Sequence, residues 1–327
     1  MKVFPLKRLM AALFLPPLLL ISCVKKKDQD TSRIDYPYHI TATTGMIADL
    51  VQEIAGEQAK VTTLIGEGID PHSFRPGKSD IDALEVAHAI FYNGHLLEGK
   101  MGEILAKQRT EGKFVVPVTE ELPGYEIIGG TSHADPHLWM DVTAWTKVAS
   151  RIAERLAKFD PANGNLYKSR AAQLVNRLQV LDGYARHSIG TIPTNQRYLV
   201  TAHDAFSYLG RAYGIEVQGI QGISTESEAG VQEIETLVSF LVEKKIPAVF
   251  VESSVSDKSV RALIEGASAQ GHNVKIGGEL YSDAMGSPGT YEGTYEGMID
   301  HNITVITRAL GGEAPAGGLK GKLTPGE

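Results

Sequence analysis

The tripeptide Asp-Pro-His occurs twice in this chain, at Asp70-Pro71-His72 and Asp135-Pro136-His137, each time with an aromatic two positions later, Phe74 and Trp139. Each proline holds the Asp before it extended and stiffens the approach to the histidine. An imidazole on a stiffened loop beside a carboxylate suits metal ligation, because the second ring nitrogen needs an acceptor to fix its tautomer. Asp70 and Asp135 are both candidates for that acceptor. His203 follows the apolar run Tyr198-Leu199-Val200-Thr201-Ala202. That places it at a strand's carboxyl end, where open α/β sheets put their ligands. Asp283 takes an equivalent place after residues 274–276, and Glu252 ends another apolar run as a candidate supporting carboxylate.

The remaining histidines read differently. His88, His95, His187, His272 and His301 are expected to serve the fold, and His133, just before the second tripeptide, to face solvent. Glu226 and Glu228 read as carboxylates at a helix start, where the dipole favours negative charge.

Strands alternating with amphipathic helices must position these residues. Strands are expected at 39–44, 61–65, 89–92 and 114–118, then at 197–202, 216–220, 248–251 and 274–276. Met46, Ile47, Leu50, Val51 and Ile54 mark an intervening helix that Gly56 stops. This rhythm implies βαβ units and mostly parallel sheets. A helix over 141–157 ends at Asp160-Pro161, which opens the next one. In that helix Tyr167, Ala171, Leu174, Leu178, Leu181 and Ala185 alternate in spacings of four and three. The run is roughly 40 Å long at 1.5 Å per residue, a rod with one narrow apolar stripe.

Hydrophobic residues make up 43% and charged residues 22% of the 327, enough for a full core. The formal net charge of -7 becomes more negative once the basic N-terminus is set aside, which argues against a nucleic-acid partner. That N-terminus carries Lys2, Lys7 and Arg8, then an apolar stretch too short to span a bilayer, ending in Leu20-Ile21-Ser22-Cys23. The ending resembles the bacterial lipobox, in which the Cys carries the lipid. Cys23 is the single cysteine, so no intramolecular disulfide is possible.

Taken together, the motifs resemble those of the zinc- and manganese-binding solute receptors of ABC importers. The likeness runs from about residue 40 to 310. It rests on the lipobox, Gly68-Ile69-Asp70-Pro71-His72-Ser73-Phe74 and Asp135-Pro136-His137-Leu138-Trp139. It continues through Thr201-Ala202-His203-Asp204-Ala205-Phe206, Gly222-Ile223-Ser224-Thr225-Glu226 and Tyr281-Ser282-Asp283-Ala284.

The resemblance implies two Rossmann-like lobes with four-stranded parallel sheets, joined by one long rigid α-helix. It implies one Zn²⁺ or Mn²⁺ between the lobes, held by His72, His137, His203 and Asp283, and delivery of that ion to a membrane permease. It further implies a lipid-anchored monomer in the bacterial cell envelope. The expected organisation is a signal peptide over 1–22, a tether lipidated at Cys23 over 23–37, lobes over 38–159 and 191–310, the linking helix over 160–190 and a mobile tail over 311–327. Many manganese members have Glu in place of His203, and many zinc members carry a long His-rich loop where this chain has only His133. Three imidazoles and a carboxylate favour zinc by affinity, since Mn²⁺ lies lowest in the divalent series. A surface adhesin is an alternative reading. A zinc hydrolase is a weaker one, because catalytic zinc keeps a position open that four protein ligands would close. No HExxH, GxSxG or Gly-rich phosphate loop is present.

Overall fold

The computed structural model describes residues 1–3, 35–120, 122–130 and 133–324. Cys23, the signal peptide beyond residue 3 and nearly all of the tether lie outside them. Among the described residues no helix is long and apolar enough to cross a membrane.

The first half opens with Tyr38–Thr44 (β1), whose side chains are buried save His39. Gly45–Ala55 (α1) follows, burying Met46, Ile47, Leu50, Val51 and Ile54 on one face. Then come Ala59–Ile65 (β2), Lys78–Val86 (α2), Ala89–Tyr92 (β3), Met101–Thr110 (α3) and Phe114–Pro117 (β4). The strands form one parallel sheet in the order β2-β1-β3-β4. Helix α3 gave no sequence signal, since it buries only Met101 and Leu105. A segment that apolar-poor shows no 3.6-residue stripe.

Val142–Phe159 (α4) starts at Asp141, whose carboxylate accepts the N–H groups of Thr143 and Ala144. Gly164–Thr191 (α5) is the long rod, 28 residues or about 42 Å. All six residues of its expected stripe are buried. The rod packs along α4 and also touches α1. Arg170 donates to the Ala55 carbonyl at 2.6 Å, fastening it to the end of α1.

The second half contains Tyr198–His203 (β5), Ser207–Tyr213 (α6), Glu216–Gln221 (β6), Val231–Lys244 (α7), Ala248–Glu252 (β7), Lys258–Ala269 (α8), Lys275–Leu280 (β8) and Tyr295–Ala309 (α9). Its two ladders are parallel, but the pairing differs in detail from one four-stranded sheet. The ladders are β5-β6 and β7-β8. β5 lies beside β7 without ladder hydrogen bonds. At their ends the N–H of His203 donates to the Glu252 side chain at 2.8 Å.

Helix α5 also meets α9. Arg177 on the rod reaches Glu296 of α9 at 2.6 Å and pairs with Glu53 of α1. With the rod gripping both halves, contacts gather Asp35–Glu327 into a single unit rather than dividing it at the helix.

The expected mobile tail needs correcting over 311–324. Leu323 is buried, the Leu319 N–H donates to Asp300 at 2.8 Å, and Lys320 pairs with Glu296. Low apolar content misled here, because a tail can dock through backbone N–H groups onto buried carboxylates. Glu226 and Glu228 are likewise in the loop before α7, whose first turn holds Glu233 instead.

Candidate metal centre

The structure brings all four expected ligands together. One donor atom from each of His72, His137, His203 and Asp283 lies within 4.8 Å of the others, and all four residues are buried. His72 and His137 stand on the two tripeptide loops, their Nε2 atoms 3.2 Å apart. His203 is the last residue of β5, and Asp283 lies three residues beyond β8. Asp283 Oδ1 is 3.3 Å from His137 Nε2, and its Oδ2 is 3.2 Å from His203 Nε2 and 3.7 Å from His72 Nε2.

These spacings, 3.2 to 3.7 Å, lie close to those between atoms that share one ion. Four atoms about 2.1 Å from a central ion sit about 3.4 Å apart at the corners of a tetrahedron. Hydrogen-bond alignment points the same way. His203 Nε2 and both Asp283 oxygens are buried yet make no hydrogen bond, although close partners surround them. Buried polar atoms are normally paired. Atoms that converge without pairing are what a cation at their centre needs.

Each histidine is fixed from behind by a carboxylate, in two different ways. Asp135 Oδ1 meets both the N–H and the Nδ1 of His137, at 2.9 and 2.7 Å. Glu252 does the same for His203 with separate oxygens, 2.8 Å to the N–H and 2.5 Å to Nδ1. Asp70 accepts the N–H of His72 at 2.8 Å, but its other oxygen takes the Thr225 hydroxyl at 2.6 Å. Of the two suggested ring acceptors, therefore, Asp135 serves and Asp70 does not.

Several supports have no signal in the motifs. Asn93 donates to the Pro136 carbonyl at 3.0 Å, holding the second tripeptide loop. Glu98, itself buried, accepts the Asn93 N–H at 2.5 Å and the Thr43 hydroxyl at 2.8 Å. At Gly99 a Cβ would stand 2.8 Å from the His72 carbonyl, so only glycine lets the first loop lie this close. Trp139 reaches across and donates its indole N–H to the Ser282 carbonyl at 2.8 Å, fixing the residue before Asp283. The aromatic two places after His137 was visible in the sequence; its partner 143 positions away was not.

The other histidines serve the fold or the surface. His272 and His301 bond the Ile246 and Glu279 carbonyls, and His88 accepts the N–H of His39. His133 is exposed and lines the large open cavity that His72 also borders.

Electrostatics divides the three imidazoles. Burial alone would lower the pKa of His137, but Asp135 and Asp283 overcome it and hold the group up to about 9. For His203 burial is likewise outweighed, by Glu252 and Asp283, and the pKa stands well above the usual value. His72 is lowered, chiefly by burial. Burial would raise Asp283, yet His203 and His137 keep it well below the carboxylate range.

The carboxylates around His137 and His203 thus favour their protonated forms, and a cation arriving at either ring must displace the proton there. Titration calorimetry in buffers of different ionisation enthalpy is expected to report proton release on binding, with affinity falling on acidification. Without metal the sign is opposite. A raised folded-state pKa contributes stability in full below the unfolded value near 6.5, and this contribution disappears as pH rises through about 9. Binding with no proton release would contradict this protonation state.

The chain as a whole is similar to known proteins. The chain is 44% identical over 304 residues to the manganese-binding lipoprotein MntA of Bacillus subtilis, covering 92% of this chain and 98% of that protein. It is 43% identical over 272 residues to the zinc-binding protein TroA of Treponema pallidum, covering 83% and 88%. The solved structure of that periplasmic zinc-binding protein superposes with a TM-score of 0.81, covering 84% of this chain and 99% of that one. Fe(III)-bound YtgA from Chlamydia trachomatis superposes at 0.77 with 27% identity, covering 84% and 99%. The family model for ZnuA, zinc-uptake complex component A, periplasmic, matches residues 40–309, and the chain belongs to that family.

Proposed function

We propose that this protein captures one Zn²⁺ or Mn²⁺ with His72, His137, His203 and Asp283 outside the cytoplasm and hands it to the permease of an ABC importer. The observation that carries the reading is the set of four buried donor atoms spaced as corners of one coordination shell. Relatives at nearly equal identity are named for manganese and for zinc, and a more distant one was solved with Fe(III), so the fold accommodates several ions. Four protein ligands leave no position for a reacting water, which suits capture rather than catalysis. Protein purified without added metal, analysed for bound ions and then titrated competitively with Zn²⁺ and Mn²⁺, tests the reading. Stoichiometric binding of one ion supports it; binding of neither overturns it.

Membrane attachment through Cys23 belongs to the same proposal, supported by the lipobox and by relatives named as lipoproteins. Cys23→Ala is expected to move the protein from the membrane fraction to the soluble one, or to stall its processing. A chain starting at Asp35 should keep its metal affinity. A membrane fraction unchanged by Cys23→Ala would refute the anchor.

A further inference from the structure

The three histidines share one device with one exception. In each, a carboxylate accepts the backbone N–H of the ligand residue. For His137 and His203 the same carboxylate also orients the ring. For His72 the second oxygen of Asp70 is engaged by Thr225, 155 positions away in the other half of the fold. We propose that Thr225 is a positioning residue for His72: its hydroxyl, donated to Asp70 Oδ2, latches the Asp70–His72 loop across the two halves and sets how fast the ion leaves. The inference rests on the proposed four-ligand site.

Two features make this contact a latch rather than ordinary packing. First, it can open at small cost. Asp70 and Thr225 border a polar cavity of about 160 Å³, lined also by Gln221, Glu228 and three serines, so water can meet both freed groups. Both segments are also irregular: neither 66–77 nor 222–230 contains helix or strand. Second, what it holds faces the way out. His72 alone among the four ligands borders the open cavity of about 1530 Å³. The rings of His137 and His203 are locked from behind and sealed, whereas His72 depends on its backbone anchor. When the latch parts, the loop can carry His72 away from the other three ligands toward that cavity. The ion is then left with three donors and a route to solvent. The cross-half bond from Trp139 to Ser282 lies on the Asp283 side and is fully buried, so it lacks this freedom.

The test is kinetic. Full-chain protein is loaded with Zn²⁺ and mixed in stopped flow with excess chromophoric chelator, for the parent, Thr225→Val and Thr225→Ser. Valine keeps the volume and removes the hydroxyl; serine keeps the hydroxyl. Thr225→Val is expected to release zinc roughly tenfold faster, the low end of the effect of losing an outer partner of a ligand. Its association rate and its metal-free melting temperature should stay at the parent values, and Thr225→Ser should release at the parent rate. Equal release by Thr225→Val and parent overturns the latch while leaving the four-ligand site intact. Release by Thr225→Ser as fast as by Thr225→Val overturns it too, because the hydroxyl would then not matter. A parent that takes up no zinc overturns the site and the latch together.

Discussion

Replacing His203 by alanine is expected to lower metal affinity by well over a hundredfold, whereas Glu252→Gln should cost about 10- to 100-fold, the range for an outer partner of a metal ligand. The difference follows from what each change removes. His203→Ala deletes one of four donor atoms and leaves Asp283 Oδ2, 3.2 Å away, without its nearest neighbour. Glu252→Gln keeps the imidazole in place. It exchanges one acceptor for an amide, so the N–H and the Nδ1 of His203 are no longer both met by carboxylate oxygen. His137→Ala should behave as His203→Ala does, since His137 is equally buried and contacts both His72 and Asp283. Competitive titration against a chelator of known affinity measures all three, and circular dichroism of the metal-free variants checks that they fold. A His203→Ala protein that binds within tenfold of the parent would show that the ligands lie elsewhere.

Metal loading is expected to raise thermal stability strongly while changing the dimensions of the molecule little. The donors come from loops and strand ends spread between residues 72 and 283, so no cluster of them survives unfolding. An ion that binds only the folded chain stabilises it by RT ln(1 + [L]/Kd), about 4 kcal/mol at a thousandfold excess over Kd. For a chain of this size that corresponds to a rise in melting temperature on the order of 10 °C. The dimensions are held by α5. One continuous helix, fixed to α1 through Arg170 and to both α1 and α9 through Arg177, resists the wide hinge that a flexible double linker would permit. Scanning calorimetry and small-angle scattering, each with and without metal, make the comparison. A melting temperature unmoved by saturating metal would remove the site from the folded core, and a large fall in radius of gyration would refute the rigid rod. His137→Ala supplies the control, as its melting temperature should no longer respond to metal.

The sequence by itself determined the strand–helix rhythm, the rod and the four candidate ligands. Periodicity carried the first two, because a helix face or strand that buries apolar groups must repeat them every three to four or every two residues. Local chemistry and resemblance together carried the third: Asp-Pro-His written twice shows two stiffened histidine loops, His203 follows an apolar strand, and the likeness to metal receptors of ABC importers picks out His72, His137, His203 and Asp283 as the set. Tertiary structure alone decided which carboxylate serves which ring. Asp70 and Asp135 precede their histidines identically, yet Asp135 turns onto the His137 ring while Asp70 turns to Thr225, and that choice depends on a segment 155 residues away. It also decided that α3 forms with little apolar face, that the apolar-poor segment 311–324 docks through Leu323 and Asp300, and that Trp139 grips the Asp283 loop. Periodicity and motif record what a segment needs from its neighbours in the chain. A single hydrogen bond between distant loops leaves no period and no spacing, so only the folded chain reveals it.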